Sequence, residues 1–131
     1  MQTIMDNDMT QLKASSQLTF DDQVLAKIAG ICAKEVDGIL GMDGNMVDSL
    51  AETFSKDERV TKGISAEVGE KQVAIDMNTI LAYDADAQQI FDELCRRISH
   101  AVKKMTGLQL VELNVHVRDI LTRREWQQVN K

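Results

Sequence analysis

Glu112, Asn114, His116 and Arg118 stand at alternate positions near the C-terminal end of this chain, and Asp76 and Asn78 alternate in the same way inside an earlier apolar run. An imidazole among carboxylates can move protons near neutral pH or ligate a transition metal, so His116 with Glu112, Asn114 and Asp76 is the candidate chemical group. Spacing limits what it can do. Alternate residues of a strand share a face about 6.5–7 Å apart, and a metal would need a further ligand from a neighbouring strand. The same residues also read as a polar sheet face left to solvent or to a partner, and that reading asks less of them.

The elements that must position these residues follow from periodicity. In MTGLQLVELNVHV, Met105 to Val117, Gly107 can take the left-handed conformation that stops a helix, and a strand follows with Val111, Leu113, Val115 and Val117 on its apolar side. Ile64–Val68 and Val73–Tyr83 alternate with period two around Gly69–Gln72 and predict a hairpin, with Val73, Ile75, Met77, Thr79 and Leu81 pointing inward. Between these strands, Asp86 to Lys104 predicts the strongest helix, with Ile90, Phe91, Leu94, Ile98, Val102 and Met105 on one stripe. Upstream, Leu18–Phe20 reads as a short strand, and Asp21 or Asp22 can cap a helix whose apolar face is Val24, Leu25, Ile28, Ile31, Cys32 and Val36. That helix ends near Asp37–Gly38, and an extended piece is expected around Ile39. Met46, Val47, Leu50, Ala51 and Phe54 predict a further short helix, followed by the charged loop SKDERVTKG. Together these give an α+β fold: a small antiparallel or mixed sheet of about three to four strands, helices packed on one face, and the other face polar and exposed.

Size and composition bound the rest. A chain of 131 residues, 44% of them hydrophobic, can bury the core of one domain without disulfides or metal. The expected organisation is a disordered tail over 1–17, a domain over 18–117 and a basic, helix-compatible tail over 118–131. Neither a membrane span nor a secretory leader is read, which predicts a cytoplasmic protein. Cys32 and Cys95 lie on apolar helix faces away from any ligand-like cluster, and the expectation is buried, reduced thiols. A net charge of -6 argues against nucleic acid and is compatible with a protein partner.

Two further segments invite a functional reading. Gly41 to Gly44, GMDG, has the outline of the GxxG loop that clamps a nucleic-acid backbone in KH domains, but Asp43 would repel phosphate. A glycine-rich turn between helices accounts for the same residues. Beyond the last strand, Trp126 is the only tryptophan, and Arg123 and Arg124 precede it. Arg and large aromatics are enriched at interface hot spots, so this tail is a candidate for partner binding, with lipid contact and docking on its own core as alternatives.

The runs LTFDDQVLAKIAGICAKEVDGILGM, GISAEVGEKQVAIDM and MTGLQLVELNVHV resemble, in order and spacing, the alkaline shock protein family of bacterial envelope stress response proteins. The likeness spans Leu18 to Val117. It implies a non-enzymatic cytoplasmic protein of Gram-positive bacteria, gathered at the inner face of the membrane by a membrane-anchored protein of the same family and prone to self-association. It implies no catalytic residues and no cofactor. The surfaces then expected to bind partners are Asp76, Asn78, Glu112, Asn114, His116 and Arg118 on the sheet, with Arg123, Arg124 and Trp126 in the tail.

Overall fold

The computed structural model describes residues 2–42 and 62–129. A strand that is buried on one face and crossed by helices must have every backbone group paired, and Gln72–Ala82 (β3) is that strand. Two strands lie end to end along one of its edges. Ile64–Val68 (β2) pairs antiparallel with its first half, from Ile64 opposite Met77 to Val68 opposite Val73. Ile39–Met42 (β1) pairs antiparallel with its second half, from Ile39 opposite Leu81 to Met42 opposite Thr79. Along the other edge runs Gln109–Leu121 (β4), parallel to β3 and in register from Gln72–Gln109 to Ala82–Leu121. The sheet is therefore mixed.

A parallel neighbour requires a crossover, and the helix Ala87–Thr106 supplies it. The Asp86 side chain accepts hydrogen bonds from the backbone N–H groups of Gln88 and Gln89, which fixes the helix start. Gly107 ends it with φ 79°, its N–H donating to the Lys103 carbonyl. Ile90, Leu94, Ile98 and Val102 are buried against Val73, Ile75, Met77 and Leu81 of β3, in agreement with both apolar stripes. Phe91 and Met105, expected on the same stripe, stand 38% and 70% exposed because they sit at its margin and at its end.

The helix Asp22–Lys34 completes this layer with Leu25 and Ile28 inward as expected, Cys32 packed against the core, and small residues inward where Val24 and Ile31 were expected. Leu25, Ala26, Ile28, Ala29, Gly30 and Ala33 are buried, while Val24 and Ile31 are exposed. The helix turns its small residues inward, where they let it approach the sheet and the crossover helix together. Asp21 is its N-cap but makes no side-chain cap bond, and the Asp22 carboxylate instead accepts from the Val68 N–H at 3.0 Å, tying the helix start to the end of β2.

Other sequence expectations differ in identifiable ways. Leu18–Phe20 is irregular rather than a strand: Phe20 packs against the core while Leu18 is exposed, so the segment is an anchored connection without a pairing partner. Gln2–Ala14, within the segment expected to be a disordered tail, is helical, and its side chains from Asn7 onward are exposed. From Asn7 onward its Met, Gln, Leu and Lys residues are good helix formers without a continuous apolar stripe, which accounts for a helical stretch whose side chains stay exposed. Of the GMDG segment, Gly41 and Met42 are β1 residues paired with Ile80 and Thr79, not part of a turn. The rest of it, the helix expected over Met46–Phe54 and most of the charged loop lie outside the described residues. β4 continues past Val117 to Leu121, and the helix Arg123–Val129 follows it. In chain order the helices are α1 (Gln2–Ala14), α2 (Asp22–Lys34), α3 (Ala87–Thr106) and α4 (Arg123–Val129).

Candidate functional site

Alternation on β3 and β4 delivers the expected polar face. Register places Ala74 beside Glu112, Asp76 beside Asn114 and Asn78 beside His116, all on the side opposite α2 and α3. β2 extends this face with Ser65 opposite Asp76 and Glu67 opposite Ala74, two residues the sequence analysis did not single out although the hairpin register implies them. The Asn114 amide donates to Asp76 Oδ1 and to Glu112 Oε2, each at 2.8 Å. One neutral side chain thus spends both amide hydrogens holding two carboxylates apart on adjacent strands.

That geometry bears directly on chemistry. A carboxylate pair that shared a proton or a metal would need its oxygens to converge, and here an amide is interposed between them. Among the described residues, no three His, Cys, Asp or Glu side chains are grouped as metal ligands. What the face presents is an acidic, hydrogen-bonded surface on a backbone fixed by pairing along both edges of β3.

Arg118 does not belong to the row. β4 carries two irregularities, at Val111 and at Arg118, where one extra residue on β4 faces no residue of β3: Thr79 pairs with Val117 and Ile80 with Asp119. A strict alternation read from Glu112 to Arg118 therefore holds only as far as Val117.

The tail candidates also separate. Thr122 and Glu125 form a reciprocal cap for α4: the Glu125 N–H donates to Thr122 Oγ1 at 3.0 Å, and the Thr122 N–H donates to Glu125 Oε1 at 2.9 Å. The Thr122 N–H first, and the Thr122 side chain second, draw the Glu125 carboxyl below its ordinary pKa. The Thr-x-x-Glu spacing of residues 122–125 is the sequence signal of this cap. Arg123 reaches Asp37 at 3.6 Å and Asp84 at 3.5 Å, so α4 is tied to the far end of the sheet, away from the Asp76–Asn114 row. Trp126 is half-buried and Arg124 is exposed.

A second cluster escaped the sequence analysis because its members are distant in the chain. Cys32, Glu35, Arg96, Arg97, His100 and Ala101 line an open depression between α2 and α3. Arg97 is held by Glu93 at 2.8 Å and Glu35 at 3.2 Å, and the Cys32 thiol lies 3.8 Å from the Arg97 carbonyl. Burial first, then Glu35, pushes the thiol pKa up against the pull of Arg97, so Cys32 remains a protonated thiol rather than a nucleophile near neutral pH. Both cysteines are free and half-buried rather than fully buried.

Among the described residues no helix is long and apolar enough to cross a membrane. Comparison with known proteins gives consistent relatives. A Streptococcus pyogenes serotype M3 protein named as a stress response regulator gls24 homolog is 38% identical over 111 residues, covering 85% of this chain and 62% of that protein. This chain therefore spans less than two thirds of that relative's length. The Bacillus subtilis protein YqhY is 27% identical, over 86% of this chain and 81% of its own. Among solved structures, MamM-CTD aligns over 73% of this chain and 95% of its own with a TM-score of 0.42 at 14% identity, too loose a likeness to carry an argument. The family model for the alkaline shock proteins (ASP23), described by a cell envelope-related function, matches residues 10–122, and the chain belongs to that family.

Proposed function

We propose that this chain is a non-enzymatic interaction module of the envelope stress response, recruited to the inner face of the membrane by an anchored protein of its own family and able to associate with copies of itself. The observation that carries the proposal is the Asp76–Asn114–Glu112 hydrogen-bonded row on the sheet face opposite the helices. A surface whose polar groups are already oriented by one another on a paired backbone loses little freedom when a partner covers it. Its excess of carboxylates suits a partner patch rich in Arg or Lys. Family membership and the likeness to a stress response regulator homolog supply the context.

The C-terminal helix is a second contact surface in this reading. Arg124 and Trp126 lie beside the pinned Arg123, and an aromatic with an exposed guanidinium is a combination favoured at interface centres.

The test is membrane fractionation of cross-linked native cells carrying the full chain, a chain ending at Leu121, or Asp76→Lys. Cutting at Leu121 rather than Val117 keeps β4 whole. The full chain should pellet with one anchored relative and Asp76→Lys should be released, whereas equal pelleting of the two would remove the sheet face from the interface. Release of the shortened chain alone would assign docking to α4. Stoichiometric zinc or manganese in the purified protein would instead favour metal chemistry at Asp76, Glu112 and His116.

A further inference from the structure

α2 turns Val24 and Ile31 away from the sheet, 38% and 48% exposed, although the same helix buries Ala26, Ala29, Gly30 and Ala33. Burial alone would favour the opposite arrangement. At 3.6 residues per turn, Lys27 and Lys34 share this outward face with them. Beside it, α3 directs Ile90, Leu94, Ile98 and Val102 at the core, so Arg96, His100 and Lys103 look outward. Lys104, two turns beyond Arg97, stands on the flank nearer α2, and all four of these polar side chains are exposed.

Between Glu93 and Glu112 the chain has no Asp or Glu, in a sequence with 21 of them. Within that run Arg97 is neutralised by Glu93 and Glu35. Among the described residues no ion pair engages Arg96, His100 or Lys104, and Lys103 donates to the Gly107 carbonyl, which leaves its charge in place. The molecule is therefore polarised, with cations on the back of the helix layer and the Asp76–Asn114–Glu112 row on the far side of the sheet. A helix with its side chains is about 10 Å across, close to the Debye length of about 10 Å at 0.1 M salt. The carboxylate row is thus screened from whatever touches α3, and the net charge of -6 does not govern what this face attracts.

We infer that the outward face of α2 and α3 rests directly on an anionic lipid surface, with Arg96, His100, Lys103 and Lys104 against the headgroups and Val24 and Ile31 at their boundary. Cations and branched apolar side chains on one helical face are the composition that seats at a lipid–water interface. The backs of two helices suit a fluid plane whose anions move to meet the cations. They offer an acidic protein segment only the open depression between the helices, where Glu35 already stands. This goes beyond the proposed function, in which an anchored protein supplies the membrane contact. It requires no partner, and it leaves the acidic sheet face directed away from the lipid.

The test is co-sedimentation of the full purified chain with protein-free vesicles of phosphatidylglycerol and phosphatidylcholine at about 0.1 M salt. The chain should bind these and not vesicles of phosphatidylcholine alone, and high salt should release it. Arg96→Gln and Lys103→Gln should each weaken binding about five-fold and the pair about 25-fold, the factor expected per cation near an anionic surface. Ile31→Ser should weaken it with every charge in place. Arg96→Gln/Glu70→Gln keeps the net charge at -6 by removing a carboxylate from the β2–β3 turn, and should bind as poorly as Arg96→Gln alone. Absent binding, equal binding to both vesicles, or wild-type affinity in Arg96→Gln/Lys103→Gln overturns the inference. So does wild-type affinity in the charge-balanced variant, which would make net charge the cause. Capture by immobilised poly-glutamate without binding to vesicles would give the face to an acidic protein and overturn it as well. Recruitment by an anchored relative fails separately, in cells, by equal pelleting of the full chain and Asp76→Lys.

Discussion

β3 and β4 run side by side in the same direction with almost the same alternation of apolar and polar residues, yet they live in different environments. On β3 the inward residues Val73, Ile75, Met77 and Thr79 are all 0–1% exposed. On β4 no residue is buried, and even Leu110, Leu113 and Val115 are only half-covered. Alternation tells which face of a strand is apolar and is silent on how many neighbours the strand has. The central strand holds the fold together, and the edge strand is left with surface to share.

The difference is sharpest for truncation of inward side chains. Ile75→Ala empties a fully enclosed position and should cost about 3–4 kcal/mol, while Val115→Ala, at a site already open on one side, should cost about 1 kcal/mol or less. Urea unfolding of the two variants checks this, and equal losses would mean that β4 is covered by something in the folded chain. The entries to the two edges make a second comparison. Gly38 leads into β1 with φ 100°, and a Cβ there would meet Ile90 Cδ1 at 2.8 Å and Ala85 Cβ at 3.0 Å. Gly107 leads into β4 with φ 79° and nothing within 4 Å of the same atom. Gly38→Ala should therefore cost about 2–3 kcal/mol, from left-handed strain and overpacking together, and Gly107→Ala about 1 kcal/mol from strain alone. Similar thermal shifts for both would show that the packing around Ile90 yields.

These contrasts also locate where the sequence was legible. The period-two and helical stripes placed β2, β3, α3 and the inward face of β3 correctly because burial imposes those periods on the chain. On α2 they placed Leu25 and Ile28 correctly but not the rest of the inward face, where Ala26, Ala29, Gly30 and Ala33 are buried and the larger Val24 and Ile31 are not. Small residues carry little apolar signal, and the reason for their burial is the proximity of the sheet and α3. The polar row was legible from Asp76 to His116 because it shares the alternation of the core. Arg118 was not, since a bulge is set by how β4 fits β3 and has no local signal apart from the strand it disrupts. The Cys32–Arg97–His100 depression depends on helix packing and is invisible to spacing.

At Asp76, Glu112 and Asn114 the contrast between the strands should nearly vanish, because all three side chains are exposed. Asn114→Ala removes the amide that separates Asp76 from Glu112 and leaves two carboxylates facing each other, yet exposure limits the loss to about 0.5–1 kcal/mol. Chemical denaturation with and without added salt distinguishes the cause. Salt should recover most of the loss if repulsion dominates, and none of it if the lost hydrogen bonds do.

The smallest effect belongs to the segment that closes the open strand. Because the Glu125 carboxyl is held below its ordinary pKa in the folded chain by its bonds to Thr122, its contribution to α4 is complete above the pKa of the unfolded chain. It is then lost as the pH falls through the lower, folded value, when the protonated carboxyl becomes a poorer acceptor for the Thr122 N–H. Trp126 lies one residue beyond Glu125 and is the only tryptophan, so its emission reports α4 and nothing else in the chain. On acidification its emission should shift toward that of exposed tryptophan while the far-ultraviolet signal of the core holds, and Glu125→Gln should show a weakened cap already at neutral pH. Emission that stays constant until the whole fold is lost would mean that α4 is held by the Arg123 pairs with Asp37 and Asp84 rather than by its cap, in which case Arg123→Ala becomes the variant that frees it.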